Sequence, residues 1–370
     1  MPKTRILIVD DSVVIRRLLA DILGQEPDLE VVGSAANGKL ALLKLPQLNP
    51  DVVTLDIEMP DMDGLETLPL LRKTYPKLPV IMFSTLTQRG AAATLDALAR
   101  GATDYVAKPA NVGGVAAGIQ SVRDQLLPKI RALHTAQTPV DAVARPGSPR
   151  GRSGAAASIR QQRVDAVCVG CSTGGPQALG ALLRELPGTF PAPIAVVQHM
   201  PPVFTQHLAQ RLDQECALRV REARDGDRLE AGLVLIAPGD FHMTLARHGA
   251  AVVVKLDQQP PENSCRPAVD VLFRTAAATY GAGCLGVVLT GMGQDGLRGS
   301  QEIAHHGGGV IVQDQASSVV WGMPRAVAEA GLARAVLPLT NISQELIKLA
   351  AAGRRTSAQP ACPIAAKGTS

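Results

Sequence analysis

The chain has 370 residues, enough for two domains of ordinary size, each with its own core. Hydrophobic residues make up 46% and aromatic ones only 2%, so the cores must rest on Val, Leu, Ile and Ala, and little is left to stack on nucleic acid. The net charge of +4 is modest, the six cysteines follow no disulfide spacing, no signal peptide begins at Met1, and no apolar run reaches the roughly 20 residues of a membrane helix. A cytoplasmic protein is expected, meeting neither nucleic acid nor the bilayer directly.

From the amino terminus, Arg5–Val9 reads as a short buried strand ending in paired carboxylates, Asp10 and Asp11. Val52–Leu55 is another, ending in Asp56. Leu78–Phe83 ends in the hydroxyl of Ser84, and the run Asp104-Tyr105-Val106-Ala107 leads to the ammonium of Lys108. Helical patterns alternate with these strands, which is the rhythm of a doubly wound parallel sheet with its site at the carboxyl ends of the strands. Adjacent parallel strands would gather Asp10, Asp11 and Asp56 into an oxygen-ligand site suited to Mg²⁺. A carboxylate can accept a phosphoryl group when a cation and Lys108 neutralise charge on the transferring oxygens, and Asp56 is the expected acceptor. Ser84 would bond the new phosphoryl oxygens and so shift the outward face near Tyr105.

Between Pro128 and Arg163 the composition changes. Lys129, Arg131, Arg145, Arg150, Arg152, Arg160 and Arg163 face only Asp141, amid Pro, Gly, Ser and Ala. Without aromatics or defined spacing, the segment reads as a solvated tether and not a nucleic-acid arm. The tail from Gly353 is similarly rich in small residues.

After the tether, Val167-Cys168-Val169-Gly170-Cys171-Ser172-Thr173-Gly174-Gly175 takes an apolar strand into a serine flanked by small residues, ahead of helix-forming sequence. That is how a serine is pushed out as a nucleophile. Its base must be an imidazole, and His199 ends the next buried strand, Pro193–Gln198. A third apolar strand, Cys284–Leu289, runs into Thr290-Gly291-Met292-Gly293-Gln294-Asp295-Gly296, where Asp295 would orient the imidazole and N–H groups around Met292 would face an oxyanion. The order serine, histidine, aspartate differs from that of α/β-hydrolases, chymotrypsin and subtilisin. Phe241–Ala246 and Ala251–Leu256, parted by His248-Gly249, predict an antiparallel hairpin. His242, in its first strand, is a rival base; His305 and His306 read as helix C-terminal charges. Cys168-x-x-Cys171 lies within a strand, so a redox or metal role is not expected of it.

These motifs carry two resemblances. The first 125 residues or so resemble a response-regulator receiver, through Asp10-Asp11, Leu55-Asp56-Ile57-Glu58-Met59-Pro60-Asp61-Met62-Asp63-Gly64, Ser84 and Lys108-Pro109. The remainder resembles the catalytic domain of the chemotaxis protein-glutamate methylesterase (CheB) family, through Gly170–Pro176, Gln198-His199-Met200-Pro201, Ala237-Pro238-Gly239, Arg266–Asp270, Thr290–Gly296 and Gly322-Met323-Pro324. The resemblance implies an enzyme that hydrolyses glutamate γ-methyl esters on methyl-accepting chemotaxis receptors and deamidates selected receptor glutamines. It puts Ser172, His199 and Asp295 at the triad positions, with Thr173 beside the nucleophile and an oxyanion contribution near Met292. It further implies a receiver that covers the cleft until a chemotaxis histidine kinase phosphorylates Asp56, with Mg²⁺ needed for that phosphorylation alone and no cofactor for the ester chemistry. Cys171 and Ala268 depart from the expected alanine and serine, and neither change removes a proton-transfer group.

The expected organisation is therefore α/β throughout: a five-stranded parallel receiver over 1–127, a basic linker over 128–163, a larger and mostly parallel catalytic sheet with a hairpin over 164–352, and a tail over 353–370. A non-catalytic output domain is the alternative; a compact helical output would favour it, whereas this one is long and strand-rich.

Overall fold

The structure, a computed structural model, describes residues 3–108, 115–137 and 163–355. In the first domain, apolar runs rich in Val, Ile and Leu form β1 (Thr4–Val9), β2 (Leu29–Ala35), β3 (Val52–Asp56), β4 (Val80–Ser84) and β5 (Asp104–Ala107). They pair in parallel in the order β2-β1-β3-β4-β5. The helices between them start at polar caps: Ser12 before α1 (Val13–Gly24), Asn37 before α2 (Gly38–Leu48), an Asp63/Glu66 capping box at α3 (Gly64–Thr74) and Thr87 before α4 (Gln88–Ala99). Because the strand order reverses at β1, the loops after β1 and β3 part and leave a crevice at the carboxyl edge.

The last helix of this domain, α5 (Val115–Gln137), continues ten residues into the segment expected to be a linker, which corrects the boundary drawn at 127. Leu126, Leu127, Ile130 and Leu133 keep helical spacing and are buried, and this stripe outweighs Pro128 in the helix interior. Two of the basic residues assigned to a solvated tether are paired with receiver acids. Lys129 meets Asp104 Oδ1 at 2.9 Å, and Arg131 binds Asp28 and Glu26. Residues 138–162 of the expected linker lie outside the described residues, as does the tail beyond Arg355; before that, α11 (Leu339–Arg355) carries helix past residue 353.

In the second domain, β6 (Ala166–Cys171), β7 (Ile194–Gln198), β8 (Arg219–Glu222), β9 (Leu233–Ile236), β12 (Cys284–Val288), β13 (Gly309–Gln313) and β14 (Ala335–Leu337) form a parallel seven-stranded sheet ordered β14-β13-β12-β6-β7-β9-β8. Alternation along β6 serves two cores. Val167, Val169 and Cys171 face α6 (Gly175–Arg184), α7 (Phe204–Glu215) and α11, whereas Cys168 joins the layer of α8 (Val269–Tyr280), α9 (Leu297–His305) and α10 (Met323–Glu329). The hairpin forms from β10 (His242–His248) and β11 (Ala251–Asp257), with His248 paired to Ala251. Its turn is thus Gly249-Ala250, one residue later than expected, and Gly249 supplies the positive φ of +60°.

Helices α8 and α9 approach closely at Gly299, whose N–H donates to Asp270 Oδ1 at 2.7 Å. A Cβ there would stand 2.4 Å from the Cβ of Phe273 and 3.2 Å from the Cα of Asp270, with little room to yield. Gly299→Ala should therefore destabilise the catalytic domain by about 1–3 kcal/mol in urea denaturation, and an unchanged midpoint would contradict this packing.

Candidate active site

The catalytic sheet also reverses, at β6, which lies between β12 and β7. Three adjacent parallel strands therefore deliver their carboxyl-terminal loops to one place, and those loops carry Ser172, His199 and Asp295. Ser172 leaves β6 into a sharp turn that Gly174 completes at φ +75°, ahead of the amino terminus of α6. The serine N–H donates to Thr290 O at 3.0 Å, and its carbonyl accepts from Gly175 N and Gln198 Nε2. Gly291 is needed opposite, since a Cβ there would stand 2.9 Å from Ser172 Cβ.

His199 is fixed from its backbone inward. Its N–H donates to Cys171 O at 3.1 Å, and its Nε2 lies 2.8 Å from Asp295 Oδ2. Asp295 is buried and satisfied: Oδ2 also accepts from Val269 N, and Oδ1 accepts from Asp270 N, Gly296 N and Asn263 Nδ2. Burial pushes its carboxyl up, but the bond to His199 and the α8 amino-terminal N–H groups outweigh this and hold it below the usual carboxylate range. Asp270 goes the other way, raised by burial and by repulsion from Asp295. Burial opposes charge on His199 as well, yet Asp295 and Cys265 together raise it above its ordinary 6.5. Its Nδ1 lies 3.5 Å from Cys265 Sγ, so the structure pairs that nitrogen with the thiol and not with Ser172, although Ser172 and His199 directly follow the paired residues Cys171 and Gln198 of β6 and β7.

Met292 sits in the turn after Gly291 and packs beside residues of α5. A cavity of about 590 Å³ opens there, lined by Pro128, Ala132, Met292, Val320, Trp321 and Arg325 among others. Thr173 is buried, and its Oγ1 donates to Asp104 Oδ2 of the receiver at 2.7 Å.

In the receiver, Asp10, Asp11 and Asp56 offer carboxylate oxygens within 4.8 Å of one another. Lys108 Nζ lies 2.7 Å from Asp56 Oδ2 and 3.2 Å from Asp10 Oδ2. Buried Asp10 Oδ2 accepts no hydrogen bond, so a hard cation with oxygen ligands fits this donor set. Burial, with repulsion from Asp10, lifts Asp56 to about 6 despite the bond from Lys108. Ser84 Oγ donates to Gly90 O at 3.1 Å, linking β4 to the start of α4.

The two sites are joined by a domain contact. Tyr105 is buried there and stacked on Phe204 of α7, ring centroids 4.9 Å apart, with Lys129 Nζ 5.0 Å from its ring centre. This corrects the expectation that Tyr105 marks an outward face: the catalytic domain covers it. Around the stack, Gln177 Nε2 donates to Ala102 O at 2.8 Å, Arg211 meets Asp96 at 2.9 Å, and His207 meets Gln88 at 2.6 Å.

The other candidates separate on geometry. His242 is buried with both ring nitrogens engaged, by Ala268 N and Pro260 O, so it braces the hairpin and α8. His305 ends α9 and His306 caps it, near Glu302, at the edge of the domain. Cys168 and Cys171 are buried within β6 and point to opposite faces. Three residues were missed by sequence reading. Asp104 was passed over for Lys108 in the same run, and Asn263 and Cys265 stand in an irregular loop whose backbone turns through positive φ at Asn263 and Ser264. No spacing rule singles out such a loop.

Comparison with known proteins agrees with the two halves of this geometry. Residues 6–120 match the response regulator receiver domain family, and residues 167–346 match the CheB methylesterase family. A protein-glutamate methylesterase/protein-glutamine glutaminase of Trichodesmium erythraeum is 53% identical, the match covering 94% of this chain and 99% of that protein. Its counterpart in a Nocardioides species is 52% identical over 94% of this chain and 96% of its own length. The crystal structure of the Thermotoga maritima CheB methylesterase catalytic domain is 47% identical, with a TM-score of 0.50, covering 50% of this chain and 98% of that one. With a receiver crevice and a serine–histidine–aspartate edge on one polypeptide, and with relatives matched nearly end to end, the chain belongs to the CheB methylesterase family.

Proposed function

We propose that this chain is a protein-glutamate methylesterase and protein-glutamine glutaminase, a serine hydrolase that acts on methyl-accepting chemotaxis receptors in the cytoplasm and is switched on by phosphorylation of Asp56. The observation that carries the reading is the joint placement of Ser172, His199 and Asp295 at the strand-order reversal, with the His199–Asp295 bond formed at 2.8 Å. Among the described residues no helix is long and apolar enough to cross a membrane, so membrane receptors would be met through their water-exposed parts.

Ser172 Oγ attacks the γ-carbonyl carbon of a methylated glutamate while its proton passes to His199 Nδ1. Asp295 holds the ring by Nε2–H and stabilises the imidazolium that forms. For that transfer Cys265 must yield Nδ1 to the serine. Backbone N–H groups near Met292 and Thr173 face the developing oxyanion, where a preorganised donor is typically worth about 3 kcal/mol. His199 then delivers that proton to the leaving methoxy oxygen, or to the amide nitrogen of a glutamine, as its bond to carbon breaks and methanol or ammonia departs; water attacks the acyl-serine by the reverse proton path.

In the receiver, Asp10, Asp11 and Asp56 would hold Mg²⁺, which when bound neutralises charge on a phosphoryl group coming from a histidine kinase. Lys108 and Ser84 then bond the phosphoryl oxygens. Lys108 follows β5 directly, and Asp104 and Tyr105 of β5 make the contacts to Thr173 and Phe204. Movement of Lys108 and Ser84 toward the phosphoryl group loosens those contacts and frees the cleft. Because the two domains belong to one chain, the released receiver stays at high effective concentration, so a weak contact is enough to inhibit. On this reading the receiver, tether and catalytic unit follow one another as 1–127 extended by α5, a linker to 163, and 164–352.

Ser172→Ala should abolish methanol release from methylated receptors while leaving Asp56 phosphorylation intact; residual release near the wild-type rate would exclude Ser172 as the nucleophile. Asp56→Asn should keep basal release and lose stimulation by a small phosphodonor, and folded protein without basal release would contradict gating. Tyr105→Ala removes the stack on Phe204 and should raise basal release severalfold in the unphosphorylated enzyme; an unchanged or lower rate would count against inhibition through this contact. Only neutral His199 accepts the serine proton, and its pKa is raised above 6.5. The acidic limb of kcat/KM should therefore lie above pH 6.5, and a limb at or below that value would show that Asp295 does not hold His199 above its ordinary range in the working enzyme.

A further inference from the structure

The loop between β11 and α8 places a second nucleophile on the catalytic histidine. Asn263 and Ser264, at φ +53° and +61°, turn the chain so that Cys265 reaches His199 Nδ1 at 3.5 Å while Asn263 Nδ2 holds Asp295 Oδ1 at 2.8 Å. The loop is closed by reciprocal backbone bonds between Glu262 and Cys265 and anchored by the Glu262–Arg274 ion pair on α8. Sulfur, imidazole and carboxylate thus stand in series: Cys265 Sγ, His199 Nδ1 and Nε2, Asp295 Oδ2. A nucleophile within reach of a base whose far nitrogen is oriented by a carboxylate is the arrangement by which a thiol becomes a thiolate.

The other described cysteines lack it. Cys168, Cys171 and Cys284 are buried in the sheet. Cys216 is half-buried like Cys265, but burial pushes its thiol up to about 11. Cys265 alone among them combines partial exposure with an imidazole partner, and that imidazole is the candidate base.

We propose that Cys265 is an activated thiol and a covalent modification site for soft carbon electrophiles of the alkyl halide class, drawing on the same His199–Asp295 pair as Ser172. The thiol proton passes to His199 Nδ1, and Sγ attacks the electrophilic carbon. With an alkyl halide the S–C bond forms as the carbon–halogen bond breaks, and halide leaves with the electron pair. The adduct then occupies the space beside Nδ1 that the serine proton must cross, so modification stops ester hydrolysis. The inference rests on His199 and Asp295 acting as a base pair, and its test reads sulfur chemistry, not methanol.

The test is competitive labelling of the folded full-length protein with iodoacetamide, quantifying the Cys265 and Cys216 peptides of one sample by mass spectrometry. Cys265 should react faster than Cys216, whose raised thiol serves as a slow internal reference, and His199→Gln should lower the ratio by about tenfold or more. The ratio within one sample guards against misfolding, which exposes both thiols together, and Asp295→Asn provides a second variant that should lower it. Equal rates in the wild type, or a ratio unmoved by both substitutions, would overturn the proposal. If labelling of Cys265 is fast but hydrolysis is absent before labelling, the activated thiol stands and the hydrolase reading falls.

Discussion

One buried carboxylate, Asp104 at the start of β5, ties the two halves of the molecule together. Its Oδ2 accepts from Thr173, the residue after the proposed nucleophile, while Oδ1 faces Lys129 and accepts from the N–H of Tyr105. A carboxylate removed from water needs such partners, because a buried charge left unpaired costs several kcal/mol. The receiver's β5, the inner face of α5 and the loop of the candidate active site are therefore held in one arrangement by one residue. Whatever moves β5 must either carry Thr173 along or leave Asp104 short of a bond.

The rest of the contact is suited to being undone. The ion pair of Arg211 with half-exposed Asp96 is worth about 0–1 kcal/mol, and the exposed bond between His207 and Gln88 is of the same modest kind. Only the Tyr105–Phe204 stack adds a substantial apolar anchor. A strong interface would resist any local change at Asp56, whereas this one combines a few buried bonds with a weak rim.

Much of this architecture was readable from sequence because parallel sheets write themselves plainly: apolar runs ending in Asp10, Asp56, Ser84, Ser172 and His199 can only be strands that deliver side chains to a carboxyl edge. The strand-order reversals at β1 and β6 that convert these runs into two crevices are not local in sequence, but they follow from the βαβ rhythm. What stayed hidden depends on contacts between distant segments. The extension of α5 to Gln137 was masked by Pro128 and by Lys129 and Arg131, whose acid partners lie about a hundred residues earlier or on another strand. Tyr105 looked like a surface switch because nothing in its own run reveals Phe204. Asn263 and Cys265 act from a loop whose shape is set by backbone conformation and not by periodicity, so neither pattern nor propensity points to them.

The domain contact is the joint on which the proposed regulation turns, and amide hydrogen exchange reads it directly. Full-length protein would be compared with and without Mg²⁺ and beryllofluoride, following peptides from α4, β5, α6 and the amino-terminal half of α7. Faster exchange in these segments on addition of the phosphoryl mimic, with the β6 and β12 cores unchanged, is the predicted result. Protection that stays constant while ester hydrolysis rises would contradict release of the receiver as the activating event.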